Sequence, residues 1–183
     1  RGNSPFDIRH RLTVAWNYAL PFGKGRKWLS GGGPAEYALG GWQVNGISTF
    51  QTGLPFTPTA NSATVNTGTG SRPDRIGDGK LDSPTVDRWF DTAAFVTPAQ
   101  FTYGNSGRNI LYGPGRVNFD FSLFKEFRIT EGLKLQFRTE FFNLFNTPQF
   151  DLPNAAIGAS SAGTITGIVG TPRQIQFGFK VVF

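Results

Sequence analysis

The chain has 183 residues and carries 18 Lys and Arg against 12 Asp and Glu, which gives a formal net charge of +6. It contains no Cys, and this excludes disulfide scaffolds, zinc knuckles, cysteine nucleophiles and iron–sulfur clusters. Charged residues make up only 16% of the chain, against about 25% in typical globular proteins. Because the positive charge is spread along the chain, we expect no nucleic acid partner.

The longest unbroken apolar run covers only residues 93–96. A membrane-spanning helix needs about 20 apolar residues, so we expect none. The chain starts at Arg1 and contains no Met, and we therefore expect it to be a processed or fragmentary piece of a longer protein. The one dense basic cluster is Lys24, Arg26 and Lys27, where a solvated turn is favoured over a phosphate site.

Alternation of apolar and polar residues predicts a first strand at residues 8–20 and a second at residues 41–55. His10 is the only His and falls on the apolar side of the first strand, where a structural role is favoured over a general base. No catalytic constellation is present, and we expect no enzyme activity. The apolar sides of the two strands carry Ile8, Leu12, Val14, Trp16, Tyr18, Leu20, Trp42, Val44 and Phe50.

The segment 57–116 has no clean period and is rich in Thr, Gly, Asn and Asp. An irregular connection of this length is uncommon in a compact soluble domain. Within it, Asp74, Asp78 and Asp82 form a candidate calcium site, because calcium takes six to eight oxygen ligands. Their spacing differs from that of an EF-hand loop, so a solvated turn is favoured. We expect the aromatic residues of this segment to pack the loop onto itself: Trp89, Phe90, Phe95, Phe101, Tyr103 and Tyr112.

The third and fourth predicted strands, at residues 117–129 and 133–145, also alternate. Only Thr130, Glu131 and Gly132 separate them, which predicts a tight hairpin. The apolar side of the third strand is interrupted by Lys125. On the polar side we expect two charge pairs, Glu126 with Arg128 and Glu140 with Arg138.

A second irregular segment, 147–172, is rich in Gly, Ala and Ser and leads to the fifth predicted strand at residues 173–183. The fifth strand alternates up to the last residue of the chain. Its apolar positions are Ile175, Phe177, Phe179, Val181 and Phe183.

These elements predict an all-β fold, an antiparallel meander of about five long strands with two long loops. Long strands with one apolar face occur in soluble sheets with one wet face and in transmembrane barrels. The long loops, 57–116 and 147–172, and the Phe-rich faces favour the barrel. With the C-terminus in the periplasm, the short turn at 130–132 is periplasmic and both long loops are external. Only the connection 21–40 is longer than a periplasmic turn should be.

An open sheet of five strands cannot lie in lipid, because its edges would leave backbone N–H and C=O groups unpaired. We therefore expect either further strands upstream of Arg1 or edges that pair with another chain.

The alternate positions 175–183, ending in Phe183, resemble the C-terminal signal of outer-membrane β-barrels of Gram-negative bacteria. In that family, the barrel-assembly machinery reads this segment. The chain as a whole is similar to the C-terminal part of TonB-dependent receptors of the type that has an N-terminal carboxypeptidase-regulatory-like domain. The matching stretches are FDIRHRLTVAWNYALPFGKG (6–25), GGWQVNGISTFQTGLPFT (40–57), RWFDTAAF (88–95), GRNILYGPGRVNFDFSLFKEF (107–127) and LQFRTEFFNLFNTPQF (135–150).

This resemblance implies a wall segment of a large barrel around a plug, which imports a scarce ligand with energy from the TonB complex. The implied partners are the lipid bilayer, the upstream barrel strands and plug of a longer chain, the barrel-assembly machinery and the TonB complex. The implied location is the outer membrane of a Gram-negative bacterium. Nothing in the loops selects a ligand among iron chelates, cobalamin, saccharides and peptides.

Two other interpretations stay open. Copies of the chain could add edge to edge into an oligomeric tube or an extracellular fibre at the cell surface. Alternatively, the chain could be a soluble β-sandwich adhesin.

Overall fold

A computed structural model describes residues 2–60, 65 and 71–183 of the chain. In this part the fold is almost entirely β, with one short helix, α1 (Pro34–Leu39), and one 3-10 turn (Thr92–Ala94). The strands, in chain order, are β1 (Arg11–Ala19), β2 (Trp42–Gln51), β3 (Pro55–Phe56), β4 (Thr59–Ala60), β5 (Asp74–Arg75), β6 (Phe95–Val96), β7 (Leu111–Tyr112), β8 (Arg116–Arg128), β9 (Lys134–Phe142), β10 (Ala156–Ile157) and β11 (Gln174–Val182).

The five long strands form one sheet in the order β1-β2-β8-β9-β11. This confirms the predicted all-β antiparallel sheet of five strands. Each long strand pairs with the long strand that comes before or after it in the chain. β1 and β11 are the outer strands of the sheet. β8 and β9 pair antiparallel from Phe121 opposite Phe141 to Arg128 opposite Lys134.

The fourth long strand ends three residues earlier than predicted, and Asn143 gives the reason. Its φ of 50° lies in the left-handed region, which an asparagine tolerates and which turns the chain out of the strand. Its backbone N–H donates to an Asp120 carboxylate oxygen at 2.9 Å. Its side-chain amide donates to the carbonyl oxygens of Thr147 and Thr171. The asparagine therefore fixes the point where the chain leaves β9.

The chain divides into two compact units, and the first consists of residues 1–11, 51–116 and 148–170. It contains short two-stranded ladders: β3 with β7 and β5 with β6 are antiparallel, and β4 with β10 is parallel. These ladders surround a buried cluster in which Phe90 is only 2% exposed, with its ring centroid 5.5 Å from that of Phe56 and 6.1 Å from that of Phe95. The other buried residues of this cluster are Ala94, Leu111 and Ile157.

The described part of the segment 57–116 thus contains more order than its sequence predicts. Phe90 and Phe95 pack the segment onto itself as expected, and Trp89 packs against the same cluster. The Trp89 indole N–H donates to the carbonyl oxygen of Tyr112 at 2.8 Å. In contrast, Phe101 and Tyr103 are mostly exposed, so the expectation is wrong for these two side chains.

The second unit consists of residues 12–50, 117–147 and 171–183 and contains nearly all of the long sheet. Alternation along its strands places apolar side chains in rows across one face. One row joins Phe121, Phe141 and Ile175, and another joins Phe127, Leu135 and Val181. Rings of neighbouring strands contact one another on this face, in the pairs Phe50 with Phe119, Phe121 with Phe141, and Phe137 with Phe179. Trp16 of β1 reaches across β2 to Phe121 of β8, with ring centroids 6.4 Å apart.

Gly46 belongs to this apolar face for a steric reason. The ring of Trp16 lies over it, and a Cβ at position 46 would come within 2.5 Å of the indole. A larger residue would therefore displace Trp16 from the position in which it meets Phe121.

We predict that Phe90→Ala destabilises the first unit by about 3–5 kcal/mol, because it opens a cavity between the rings of Phe56 and Phe95. Hydrogen exchange measured by mass spectrometry should show lost protection in peptides of residues 71–116. Phe101→Ala is the control, because this ring is 80% exposed and its loss creates no cavity. Equal protection in the two variants would contradict a core centred on Phe90.

Candidate functional site

The apolar face of the long sheet is open to its surroundings. On the outer strand β11, the side chains of the apolar positions are at least half exposed, and Phe183 beyond its end is 99% exposed. On the other outer strand, Leu12, Val14, Trp16 and Tyr18 are between 42% and 58% exposed. An apolar surface of this extent is typical of a protein or membrane interaction site.

The opposite face of the sheet is polar and internally hydrogen-bonded. Glu126 forms two ion pairs through Oε1, which lies 3.8 Å from the Arg128 Nε and 3.5 Å from the Lys134 Nζ. The predicted pair of Glu126 with Arg128 is therefore present. The predicted pair of Glu140 with Arg138 does not occur among the described ion pairs. Arg138 donates through Nε to the Gln136 Oε1 at 2.7 Å and stacks over the Phe124 ring at 4.8 Å.

Lys125 occupies an apolar-face position of β8, yet it is only 2% exposed. Its ammonium donates to the carbonyl oxygens of Tyr37 at 2.7 Å, Ala38 at 3.0 Å and Gly40. These carbonyls lie at the C-terminal end of α1, where backbone oxygens lack helical partners and the helix dipole favours a cation. The Trp42 ring centroid lies 5.3 Å from Nζ and completes the surroundings.

The sequence alone does not reveal this arrangement. Lys125 interrupts a period-two pattern, and its partners lie 85–88 residues away along the chain. One signal for the helix is present: Pro34 at its start, a position that favours proline because its missing N–H is not needed there. The connection 21–40 is therefore longer than a periplasmic turn because it contains the helix α1, which covers the charge of Lys125.

The predicted C-terminal signal residues all belong to β11 or its end. Ile175, Phe177, Phe179 and Val181 face the same side as the apolar residues of β9, opposite Phe141, Thr139, Phe137 and Leu135. Phe183 follows the end of the strand.

The three candidate calcium ligands have separate surroundings. Asp74 accepts a hydrogen bond from the Asn105 backbone N–H at 2.9 Å, and Asp78 accepts one from the Lys80 backbone N–H at 2.9 Å. Asp82 is exposed. Within residues 2–60, 65 and 71–183, no group of three or more His, Asp or Glu side chains is arranged to hold a metal ion. The candidate His10 is exposed, and its backbone, not its ring, bonds to Thr52.

Across the described ranges, no helix combines the length and hydropathy needed to cross a bilayer.

The outer strands decide what kind of surface this is. β1 and β11 each pair on one side only within the sheet, so each presents a row of backbone groups along its other side. Together with an apolar face that is open except where α1 lies on it, and a polar face that carries the ion pairs of Glu126, these edges are typical of a wall segment of a β-barrel, with one side suited to lipid and the other to water.

A family model described as "Outer membrane beta barrel domain" matches residues 1–176. The chain therefore belongs to the family of outer-membrane β-barrel domains. The matched region includes β1 to β10 and ends within β11. No curated protein and no solved structure matches the chain. The family indicates location in the outer membrane. In barrels of this kind the apolar face of the wall is the face toward lipid.

We predict that Lys125→Met destabilises the second unit by about 2 kcal/mol, because three carbonyl oxygens lose a charged donor. Urea unfolding of the protein in phospholipid vesicles measures the change. Lys134→Met is the matched control, since its ion pair with Glu126 is partly exposed and worth less than about 1 kcal/mol. If both variants unfold at the same urea concentration, Lys125 does not hold α1 against the sheet.

Proposed function

We propose that the chain forms the C-terminal part of the barrel wall of a TonB-dependent receptor in the outer membrane of a Gram-negative bacterium. The receptor imports a scarce ligand, and the chain has no catalytic role. The observation that carries the proposal is an open antiparallel sheet whose apolar face is exposed on both outer strands and whose last strand is aromatic. The resemblance of stretches such as LQFRTEFFNLFNTPQF (135–150) to these receptors supports the transport role.

In this proposal the short turn between β8 and β9 faces the periplasm. The strands have the length that a barrel requires, since a tilted strand crosses the bilayer with about 9–11 residues and β8 has 13. The segments 57–116 and 147–172 connect strands at the other end of the sheet, and they lie outside the cell. The edges of β1 and β11 pair with upstream strands of a longer polypeptide, which also supplies the plug and the contact with the TonB complex.

A second candidate function follows from the same outer strands. Since β1 and β11 each have nine residues and one unpaired side within the described sheet, copies of the chain could pair edge to edge. The product would be a tube or an extracellular fibre with a structural role.

Intact mass spectrometry of the polypeptide purified from outer membranes separates the two functions. The receptor requires a chain much larger than the 20.0 kDa of these 183 residues, because the plug and the remaining strands belong to the same polypeptide. That chain, extracted in mild detergent, should bind the immobilised periplasmic domain of TonB. A barrel-only protein from the same membranes is the control and should not bind.

A polypeptide of about the mass of this segment, found in regular tubes or fibres by electron microscopy, would refute the receptor and establish assembly. A larger polypeptide that fails to bind the TonB domain would refute TonB dependence, but it would agree with a role of the chain in the wall of an outer-membrane barrel.

The C-terminal strand provides a separate prediction. If the barrel-assembly machinery reads the apolar positions of β11, Phe179→Asn with Phe183→Asn should lower the amount of folded protein in the outer membrane severalfold. Lys180→Gln is the matched control, because it changes the polar face of the same strand. Quantitative immunoblots of outer-membrane fractions measure the amount. Equal amounts for both variants would exclude this role of the strand.

A further inference from the structure

We infer that the connection between β1 and β2, residues 21–40, docks on anionic phospholipid headgroups. These headgroups belong to the bilayer surface at the end of the sheet where β8 turns into β9. The inference uses membership of the outer-membrane barrel family and does not depend on the transported ligand.

The charge of the connection fits such a surface. Lys24, Arg26 and Lys27 are exposed and form no ion pair in the part of the chain that the structure describes. Between Asp7 and Glu36 the sequence has no acidic residue. Glu36 accepts a hydrogen bond from the Gly32 backbone N–H at 2.6 Å, so the one carboxylate of the connection is engaged within it. The connection thus keeps a net positive charge, with three cations on one turn that form no described ion pair, and such a turn attracts anionic headgroups.

The turn that carries these cations is held in shape by its backbone. The Trp28 N–H donates to Pro21 O at 3.1 Å, and the Gly23 N–H donates to Trp28 O at 2.9 Å. At the base, Gly23 and Gly40 approach so closely that a Cβ on Gly23 would lie 2.9 Å from the Gly40 Cα. The basic residues therefore stand on a closed loop, whose geometry is set before it meets a membrane.

Apolar and aromatic side chains accompany the cations. Trp28 is 48% exposed, and its ring lies 5.6 Å from the Phe22 ring and 4.9 Å from the Lys27 ammonium. Leu29 and Leu39 are exposed as well. Tryptophan beside lysine is the composition of segments that lie in the headgroup region, where the ring meets the acyl boundary and the cation meets phosphate.

The connection is anchored on the lipid side of the sheet. Tyr37 packs on Phe127 with ring centroids 5.7 Å apart, and the Trp42 indole N–H donates to Ala38 O at 2.9 Å. Phe127 and Trp42 belong to the apolar face, as does Lys125, which binds the end of α1. The exposed residues of the connection are thus continuous with the apolar face, which is the face that meets lipid in outer-membrane barrels.

The position along the strands agrees with the headgroup level. β8 has 13 residues, about two more than the longest span that the hydrocarbon core requires. Lys125 and Phe127 lie among its last four residues, next to the turn that leads to β9. The short turn between β8 and β9 occurs at the same end of the sheet. Short turns belong to the periplasmic side of such barrels, where the membrane leaflet consists of phospholipid.

A single label within this segment tests the inference, because these 183 residues contain no Cys. Ser30→Cys places a nitroxide on the exposed part of the connection, in the protein reconstituted in vesicles of phosphatidylcholine or of phosphatidylcholine with phosphatidylglycerol. Collision with oxygen dissolved in the lipid, relative to a water-soluble nickel chelate, reports whether the label enters the membrane. We expect entry in the anionic vesicles, with reversal at high salt.

Neutralising the cations with Lys24→Gln, Arg26→Gln and Lys27→Gln should abolish the response to phosphatidylglycerol. At about 1 kcal/mol for each basic residue near an anionic surface, the docking equilibrium should shift on the order of 100-fold. The matched control is Arg72→Gln, Lys80→Gln and Arg173→Gln, which removes the same charge from exposed positions elsewhere and should leave the response unchanged. Circular dichroism of the reconstituted variants verifies that the strands are retained.

Three outcomes overturn the inference. The first is equal lipid accessibility of the label in both kinds of vesicle. The second is an equal loss of response in the control variant, which would indicate net charge in place of this turn. The third is entry of the label in phosphatidylcholine vesicles on addition of inorganic phosphate, which would assign the cations to a free anion.

Discussion

Backbone hydrogen bonding at the sheet edges is the constraint on which the rest of this structure depends. In hydrocarbon no water is available to satisfy an exposed N–H or C=O, so a sheet is stable there only when both outer strands are paired. β1 and β11 are the outer strands of the five-stranded sheet. Membership of the outer-membrane barrel family therefore requires that other strands close these edges, whether they come from the same polypeptide or from further copies.

The same absence of water explains the treatment of Lys125. An ammonium facing hydrocarbon is costly, and near the ends of a span a lysine normally reaches toward the headgroups. Here the helix α1 brings three carbonyl oxygens to the charge, and the faces of Trp42 and Phe127 add further stabilisation. The apolar face can thus carry a lysine because the connection 21–40 folds back onto it.

The sequence predicts the long sheet well and the rest poorly, and the reason is the range of the interactions. A strand with one apolar face leaves a period-two pattern in its own residues, so β8 and β11 are visible from sequence alone. Asn143 ends β9 through hydrogen bonds to Asp120 and Thr171, which a local pattern cannot reveal. Likewise, Phe56, Phe90 and Ile157 meet in one core although up to 101 residues separate them, and the short ladders around them have only two residues in each strand.

Lys125 shows how a failed pattern can still be informative. Within β8 it breaks the apolar row that Phe121, Leu123 and Phe127 form, and the row is otherwise regular. A regular apolar row tolerates a lysine only when something nearby accepts its three protons, so such a break predicts a partner even when it does not identify one. The connection 21–40 is too long for a simple turn and begins its helix with Pro34. Lys125 needs a partner for its charge, and the connection 21–40 at the same end of the sheet is long enough to supply one. The contact between them therefore explains both the lysine in an apolar row and the length of the connection.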